Sequence, residues 1–405
     1  MKKSAISYTD ARDRLLSLAV PVTTEAVPLA ECYGRILAQD LTAEENVPAF
    51  DRSAYDGYAI RSSDVSRASP EAPVILRILE EIPAGSVSHF PLTEGSAVKI
   101  LTGAPVPEGC DAVIPYESTR FTDTEVTAFG SCGPDANIVR AGEDVRAGAL
   151  LAPSGTPIDA GLLASLAGQN VETPVCYRVP RIGVISTGSE LLEVGDSPEP
   201  GKIRNTNRYS ISGAIRHLGA EPVYLGIGRD SADQIAGLIR RGLESCDGVV
   251  LTGGVSAGDY DLTPDAMTLA GAEVLFHGVA LKPGMACCYG MAGGRLIAGL
   301  SGNPASSLIN LYAIAAPFIR KLCGRRDPGN REICVTLADG FEKSSPVTRL
   351  LWGTLDIADG TAVIRFPPGQ GNVIISSVAG TDVLAEIPAG SGPVKKGTVC
   401  KGFLI

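Results

Sequence analysis

R-I-G-V-I-S-T-G-S-E at residues 181–190 and G-V-V-L-T-G-G-V-S-A-G-D-Y-D at 248–261 decide the fold. Each is a short apolar run that stops in glycine, a small hydroxyl residue and an acid, as strands of a buried parallel sheet do. Arg181–Ser186 therefore reads as a strand. Working outward, Thr206–Leu218 reads as a helix with Ile211, Ala214, Ile215 and Leu218 on one face, and Pro222–Ile227 as a strand. A helix over Ser231–Leu243 opens with a Ser231/Gln234 capping box, and Gly248–Thr252 is the next strand. Thr263-Pro264 begins another helix as N-cap and N1. Strands near Ala272–Phe276, Ala286–Tyr289 and Leu296–Ala298 follow, and Asn303-Pro304 starts a long apolar helix to about Leu322. Alternation of this kind predicts a doubly wound, mostly parallel α/β domain with helices on both sheet faces.

The flanks have a different character. Ala11, Leu15, Leu16 and Leu18 predict helix within residues 8–40, capped by Thr9 or Asp10. Val74–Leu79, Ala97–Leu101 and Ala112–Pro115 are short strands among Pro/Gly turns, which predicts a small β-rich domain. One apolar helix, Asp159 to Ala167, precedes the α/β region, and residues 326–405 turn β-rich again. The hexapeptide E-I-P-A-G-S occurs at 81–86 and 386–391 with unrelated flanks, so it reads as a reused turn.

At 405 residues the chain needs several cores. A net charge of −10 and 5% aromatics argue against nucleic acid and anionic membranes as partners. No apolar run approaches the roughly 20 residues of a membrane span, and no signal peptide is visible. Ten cysteines without a C-x-x-C pair, and three scattered histidines, predict reduced thiols, no zinc site and a cytoplasmic protein. The 181–324 region carries 12 basic and 13 acidic residues, so it is nearly neutral within an acidic chain, which lowers the barrier to an anionic ligand.

Ligands of open α/β sheets sit beyond the carboxyl ends of the strands. Thr187-Gly188-Ser189-Glu190 there offers small residues and N–H groups to an anion, or is an ordinary turn with a solvated glutamate. Gly253-Gly254-Val255-Ser256-Ala257-Gly258-Asp259-Tyr260-Asp261 suits close backbone approach with carboxylates for a hard cation such as magnesium. Ser301-Gly302-Asn303-Pro304 is a third such turn, which capping alone would also explain. Lys282-Pro283-Gly284 puts a cation on a rigid turn, and Asp230 follows the second strand, where it completes an acidic ring or pairs Arg229. No Ser–His–Asp or Cys–His arrangement is legible, so covalent catalysis is not favoured.

Taken together, seven ordered motifs resemble the molybdopterin molybdenumtransferase (MoeA) family, which includes the E domain of gephyrin. They are P-A-F-D-R-S-A-Y-D-G-Y-A at 48–59, L-T-G-A-P-V-P-E-G-C-D-A-V at 101–113, R-A-G-E-D-V at 140–145, S-T-G-S-E-L at 186–191, L-T-G-G-V-S-A-G-D-Y-D at 251–261, K-P-G at 282–284 and S-G-N-P at 301–304. The resemblance implies a multidomain α/β plus β protein: a helical/mixed linker domain (1–46 and 141–177), a β-rich domain (47–140), a MoaB/MogA-like molybdopterin-binding domain (178–325) and a C-terminal β-barrel-like domain (326–405). It also implies a cytoplasmic homodimer, acting among other molybdenum cofactor biosynthesis proteins, that inserts molybdate into adenylylated molybdopterin with loss of AMP. Glu190, Asp230, Asp259 and Asp261 would hold Mg2+, while Asp56, Thr102 and Asp144 would face the site from the other subunit. Lys282 and Arg140 would bind phosphate or molybdate, and Thr187, Gly188, Ser189, Gly253, Gly254, Ser256, Gly258, Pro283, Gly284, Ser301, Gly302 and Asn303 would cradle the pterin nucleotide. Gly278 and Met285 depart from the basic residues usual beside the K-P-G lysine. That departure leaves open a non-catalytic binding or delivery paralogue, or a tungsten-selective variant. A nucleotide-acting enzyme sharing only the α/β domain would not explain the motifs at 48–59 and 101–113.

Overall fold

The computed structural model describes residues 6–229, 231–255 and 262–405. The chain divides into two compact units. The larger comprises Met1–Gln39, Ser154–Ala160 and Thr173–Ile405; the smaller comprises Asp40–Pro153 and Gly161–Glu172.

At the centre of the larger unit is a six-stranded sheet in the order Glu221–Gly228, Arg181–Thr187, Gly248–Thr252, Arg295–Leu300, Cys288–Ala292, Glu273–His277. The first four strands are parallel, and Cys288–Ala292 runs antiparallel to both of its neighbours. Side-chain alternation divides the interior. Val250 and Ala298 face a core shared with Ile211, Ile215 and the helical segment from Pro304 to Leu322. Val249, Leu251 and Ile297 face a second core with Ile235 and Ile239. Every residue of Gly248–Thr252 is buried, as a strand covered on both faces must be. Full burial of each large aliphatic side chain contributes roughly 1.5–3 kcal/mol.

Thr206–His217 is capped by Asn205, and Ala232–Ser245 by Ser231, whose hydroxyl accepts from the Gln234 N–H. The Thr263–Leu269 helix has Leu262 at its N-cap, one residue earlier than the sequence suggests, because the Thr263 hydroxyl donates to Gly253 O at 3.2 Å instead of capping. The last helix is interrupted: Pro304–Asn310 and Ala316–Leu322 flank a π-helical turn, Leu311–Ala315.

Of the predicted N-terminal helical region only Tyr8–Leu18 is α-helical, with a single 3-10 turn at Leu29–Glu31, and the cap of the α-helix is Ser7, not Thr9 or Asp10. Thereafter the chain runs through short strands, Thr24–Ala26 and Ile36–Leu37, that pair with Val175–Tyr177. The helix packs Tyr8, Ala11 and Leu15 into the α/β core, and that core continues to Trp352, Leu384 and Phe403 of the C-terminal region. There the five strands Thr348–Ala358, Thr361–Arg365, Glu332–Leu337, Val399–Leu404 and Val383–Ile387 close on themselves as a barrel, which removes every free edge.

The smaller unit carries a six-stranded sheet in the order Ala112–Pro115, Gly57–Ile60, Ser96–Ile100, Val74–Ile82, Glu125–Ala128, Thr119–Phe121. Tyr58 and Ile60 face one apolar cluster, and Ala59 and Val98 the other. Both copies of the repeated hexapeptide end a strand and close a turn, through Ser86 N to Pro83 O and Ser391 N to Pro388 O. The repeat is therefore a shared turn on unrelated strands. All ten cysteines are free thiols.

Candidate active site

The strand ends of the larger unit enclose a pocket of about 860 Å³. Of the residues singled out from sequence, Thr187, Gly188, Glu190, Gly253, Gly254, Ser301, Gly302 and Asn303 line it. Ser189, Lys282, Pro283 and Gly284 are not among the lining residues. Asp230, Ser256, Gly258, Asp259 and Asp261 lie outside the described residues.

The pocket floor is a seam between three turns. The Thr187 hydroxyl donates to Thr252 O at 3.1 Å, and Gly253 N–H donates to Leu300 O at 2.9 Å. Gly253 has φ +97°, and a Cβ there would sit 2.4 Å from Thr187 Oγ1. Gly302 lies alongside Gly253, where a Cβ on Gly302 would meet the Gly253 Cα at 3.5 Å, an ordinary van der Waals contact. The N–H groups of Gly188, Gly253 and Asn303 are spent on Gly228 O, Leu300 O and Ser301 Oγ. Among the described residues, those of Gly254 and Gly302 have no such acceptor, which leaves them to a ligand. Glu190 is exposed and folds back over Gly188, where a Cβ would lie 2.3 Å from its Oε2. Its carboxylate has no ion-pair partner among the described residues.

Several lining residues were not anticipated from sequence. Arg204 donates to Glu193 O at 2.7 Å and Asp196 O at 2.6 Å. Both are neutral carbonyls, so its charge stays available. Asn207 donates to Gly302 O at 2.8 Å and leaves a buried Oδ1 without a partner among the described residues. Asn205 is buried and accepts from Ser186 Oγ at 2.9 Å and from Arg208 N–H at 3.2 Å. The clue was the run Arg204-Asn205-Thr206-Asn207 at the start of a predicted helix, which reads equally as plain capping. Beneath it, Glu193 is bound by Tyr224, Arg208 and Asn205. Burial alone would raise the Glu193 pKa, but those bonds outweigh it and lower it. Asn205→Ala removes the cap and the Ser186 partner together. A loss of about 1–2 kcal/mol is expected, read as a lower denaturant midpoint at unchanged slope.

The barrel supplies an apolar side of the same pocket through Val373 and Ile375. The loop is anchored by Gln370, whose amide pairs with Trp352 at both backbone groups, Nε2 to O at 2.7 Å and N to Oε1 at 3.2 Å. Gln370 thus holds the connection between Arg365 and Val383 against the barrel.

In the smaller unit, Asp56 Oδ1 accepts from both the N–H and the hydroxyl of Thr102, each at 2.7 Å. The Thr102 N–H, then its hydroxyl, hold the Asp56 pKa below the usual carboxylate value. The Arg140 guanidinium pairs with Asp51 and Asp135, and its backbone N–H donates to Glu143 at 3.0 Å. Asp144 N–H donates to Val47 O at 3.0 Å. Because the folded Asp56 pKa lies below the unfolded one, its stabilisation is present above about pH 3.9 and is lost as pH falls through the lower folded value. Melts of wild type and Asp56→Asn should therefore differ at pH 7 and converge as the pH falls below the lowered folded value.

This is a multidomain protein with an α/β domain, a pocket at the strand ends of that domain, and a closed barrel. Three stretches match family models: residues 6–169 the MoeA N-terminal region (domain I and II), 183–321 the probable molybdopterin binding domain, and 335–404 the MoeA C-terminal region (domain IV). The chain is 34% identical to the molybdopterin molybdenumtransferase of Bacillus subtilis over 411 residues, covering 100% of this chain and 95% of that one. It is also 34% identical over 399 residues to its namesake in Staphylococcus epidermidis, with coverage of 98% and 95%. A crystal structure of the molybdopterin biosynthesis MoeA protein of Pyrococcus horikoshii OT3 superposes with a TM-score of 0.86 at 29% identity, covering 99% of this chain and 100% of that one. The chain belongs to the molybdopterin molybdenumtransferase family. Among the described residues no helix is long and apolar enough to cross a membrane.

Proposed function

We propose that this chain is the metal-inserting transferase of molybdenum cofactor biosynthesis: it places molybdate-derived molybdenum on the dithiolene of adenylylated molybdopterin and releases AMP. The observation that carries the reading is the pocket itself, lined by Gly254 and Gly302, whose N–H groups have no acceptor among the described residues, and by Arg204. Two donors and one cation that pairs with no carboxylate among the described residues suit the phosphates of a pterin nucleotide. The Asn207 Oδ1 is a buried acceptor for an N–H edge of a heterocycle.

Glu190 fits a magnesium site, being a carboxylate lining the pocket with no cation paired to it among the described residues. With Asp230, Asp259 and Asp261 it would hold Mg2+, which would offset charge on the phosphoanhydride. Lys282 would neutralise the oxyanion. Asp56, held ionised by Thr102, would orient molybdate or water together with Asp144, from the partner in a homodimer with a four-domain protomer. Arg140 would contact the anion by exchanging one of its carboxylate partners. We place the protein in the cytoplasm.

A second reading, cofactor binding without insertion, is favoured by one observation. Gly278 has φ +81°, a backbone conformation that disfavours a basic side chain there, and Met285 is exposed and uncharged. Incubation with adenylylated molybdopterin, magnesium and molybdate separates the two. Release of AMP with metallated cofactor supports insertion; tight binding with neither product sinks it. Tungstate in place of molybdate tests metal choice.

A further inference from the structure

Asn310 is fully buried in the long apolar helix, between Ile309 and Leu311, where the helix passes into its π turn. Its Nδ2 donates to Gly284 O at 2.9 Å, while its Oδ1 is buried with no partner among the described residues. An amide left half-bonded among aliphatic side chains is a poor choice for stability alone. The contact is also close: Gly284 has φ +109°, and a Cβ there would sit 2.9 Å from Asn310 Nδ2. π turns inside α-helices recur at functional positions.

What Asn310 touches gives it a role. Gly284 closes the Lys282-Pro283-Gly284 turn. On its other side that turn is bound to the barrel, with Leu281 and Lys282 paired in parallel to Thr348 and Arg349. Met285 O accepts from Val279 N–H at 3.1 Å, and Ala286, next along, lines the pocket. The helix that carries Asn310 begins at Pro304, which lines the pocket too. One side-chain hydrogen bond therefore joins the lysine turn to the helix that builds the pocket.

We infer that Asn310 is a positioning residue for the transfer reaction: it fixes the Lys282–Gly284 turn against the pocket-forming helix and so sets where the Lys282 cation meets the anionic substrate. This rests on the reading of Lys282 given above.

The test uses the full chain as Asn310→Leu, Gly284→Ala, Lys282→Ala and the double variant Lys282→Ala/Asn310→Leu, with thermal melts and steady-state AMP release against molybdate concentration. Asn310→Leu should raise the KM for molybdate roughly tenfold while its melting temperature changes by only a few degrees. Gly284→Ala disturbs the same hydrogen bond from the loop side and keeps the test open should the leucine variant not fold. Adding Asn310→Leu to Lys282→Ala should change KM no further, because the effect runs through the lysine. An additive double variant, or an unmoved KM in both Asn310→Leu and Gly284→Ala, overturns the inference. A Lys282→Ala protein with wild-type KM instead removes the role given to Lys282, and with it this one. Wild-type protein that releases no AMP removes the transferase reading altogether.

Discussion

Gly253→Ala is expected to lose about 2–4 kcal/mol of stability and roughly 100-fold in turnover of whatever remains folded. The cause is two-fold. Gly253 sits at φ +97°, which an L side chain rarely adopts, and the added methyl would lie 2.4 Å from Thr187 Oγ1 and 2.6 Å from Thr187 O. Neither atom can step aside cheaply. The hydroxyl is bonded to Thr252 O, and the carbonyl belongs to the end of the Arg181–Thr187 strand. Gly253 N–H also donates to Leu300 O, so a displaced Gly253 disturbs the neighbouring strand end. Denaturant melts and AMP release on the soluble fraction measure both effects. A variant with wild-type midpoint and rate would show that the turn has room the geometry denies.

Glu190→Gln should separate the two effects that Gly253→Ala combines. Turnover is expected to fall roughly 100-fold, while stability stays within about 0.5 kcal/mol of wild type. Glu190 is exposed and unpaired among the described residues, so its charge supports no fold contact there. The amide keeps the shape over Gly188 and loses the anionic oxygen a hard cation prefers. Binding of the pterin nucleotide should survive, since Gly254, Gly302 and Arg204 remain. The requirement for magnesium should move to higher concentration. Wild-type turnover in Glu190→Gln would remove the carboxylate from the mechanism, whereas a large drop in melting temperature would make it a structural residue.

Much of the α/β architecture was legible because burial on both sheet faces forces continuous apolar strands, as in Gly248–Thr252, and because caps such as Ser231 are local in sequence. The N-terminal region was harder. Leu15, Leu16 and Leu18 signal a helix, but nothing local signals that the chain then pairs as strands with Val175–Tyr177, some 150 residues away. Long-range pairing of short strands leaves no periodic trace. The interruption of the last helix at Leu311–Ala315 was likewise invisible, since its apolar residues satisfy an α pattern throughout.

The candidate site divides in the same way. By itself the sequence determined the family resemblance, the α/β class and the glycine-acid turns, because glycine at strand ends and acids beside them are chemical choices written residue by residue. Tertiary structure alone decided which N–H groups in those turns are already spent, since only a neighbouring strand can supply Leu300 O or Gly228 O. It alone brought Arg204, Asn207, Val373 and Ile375 to one pocket from separate stretches of chain. It also set Asn310 against Gly284, a contact between residues 26 apart that neither segment encodes alone.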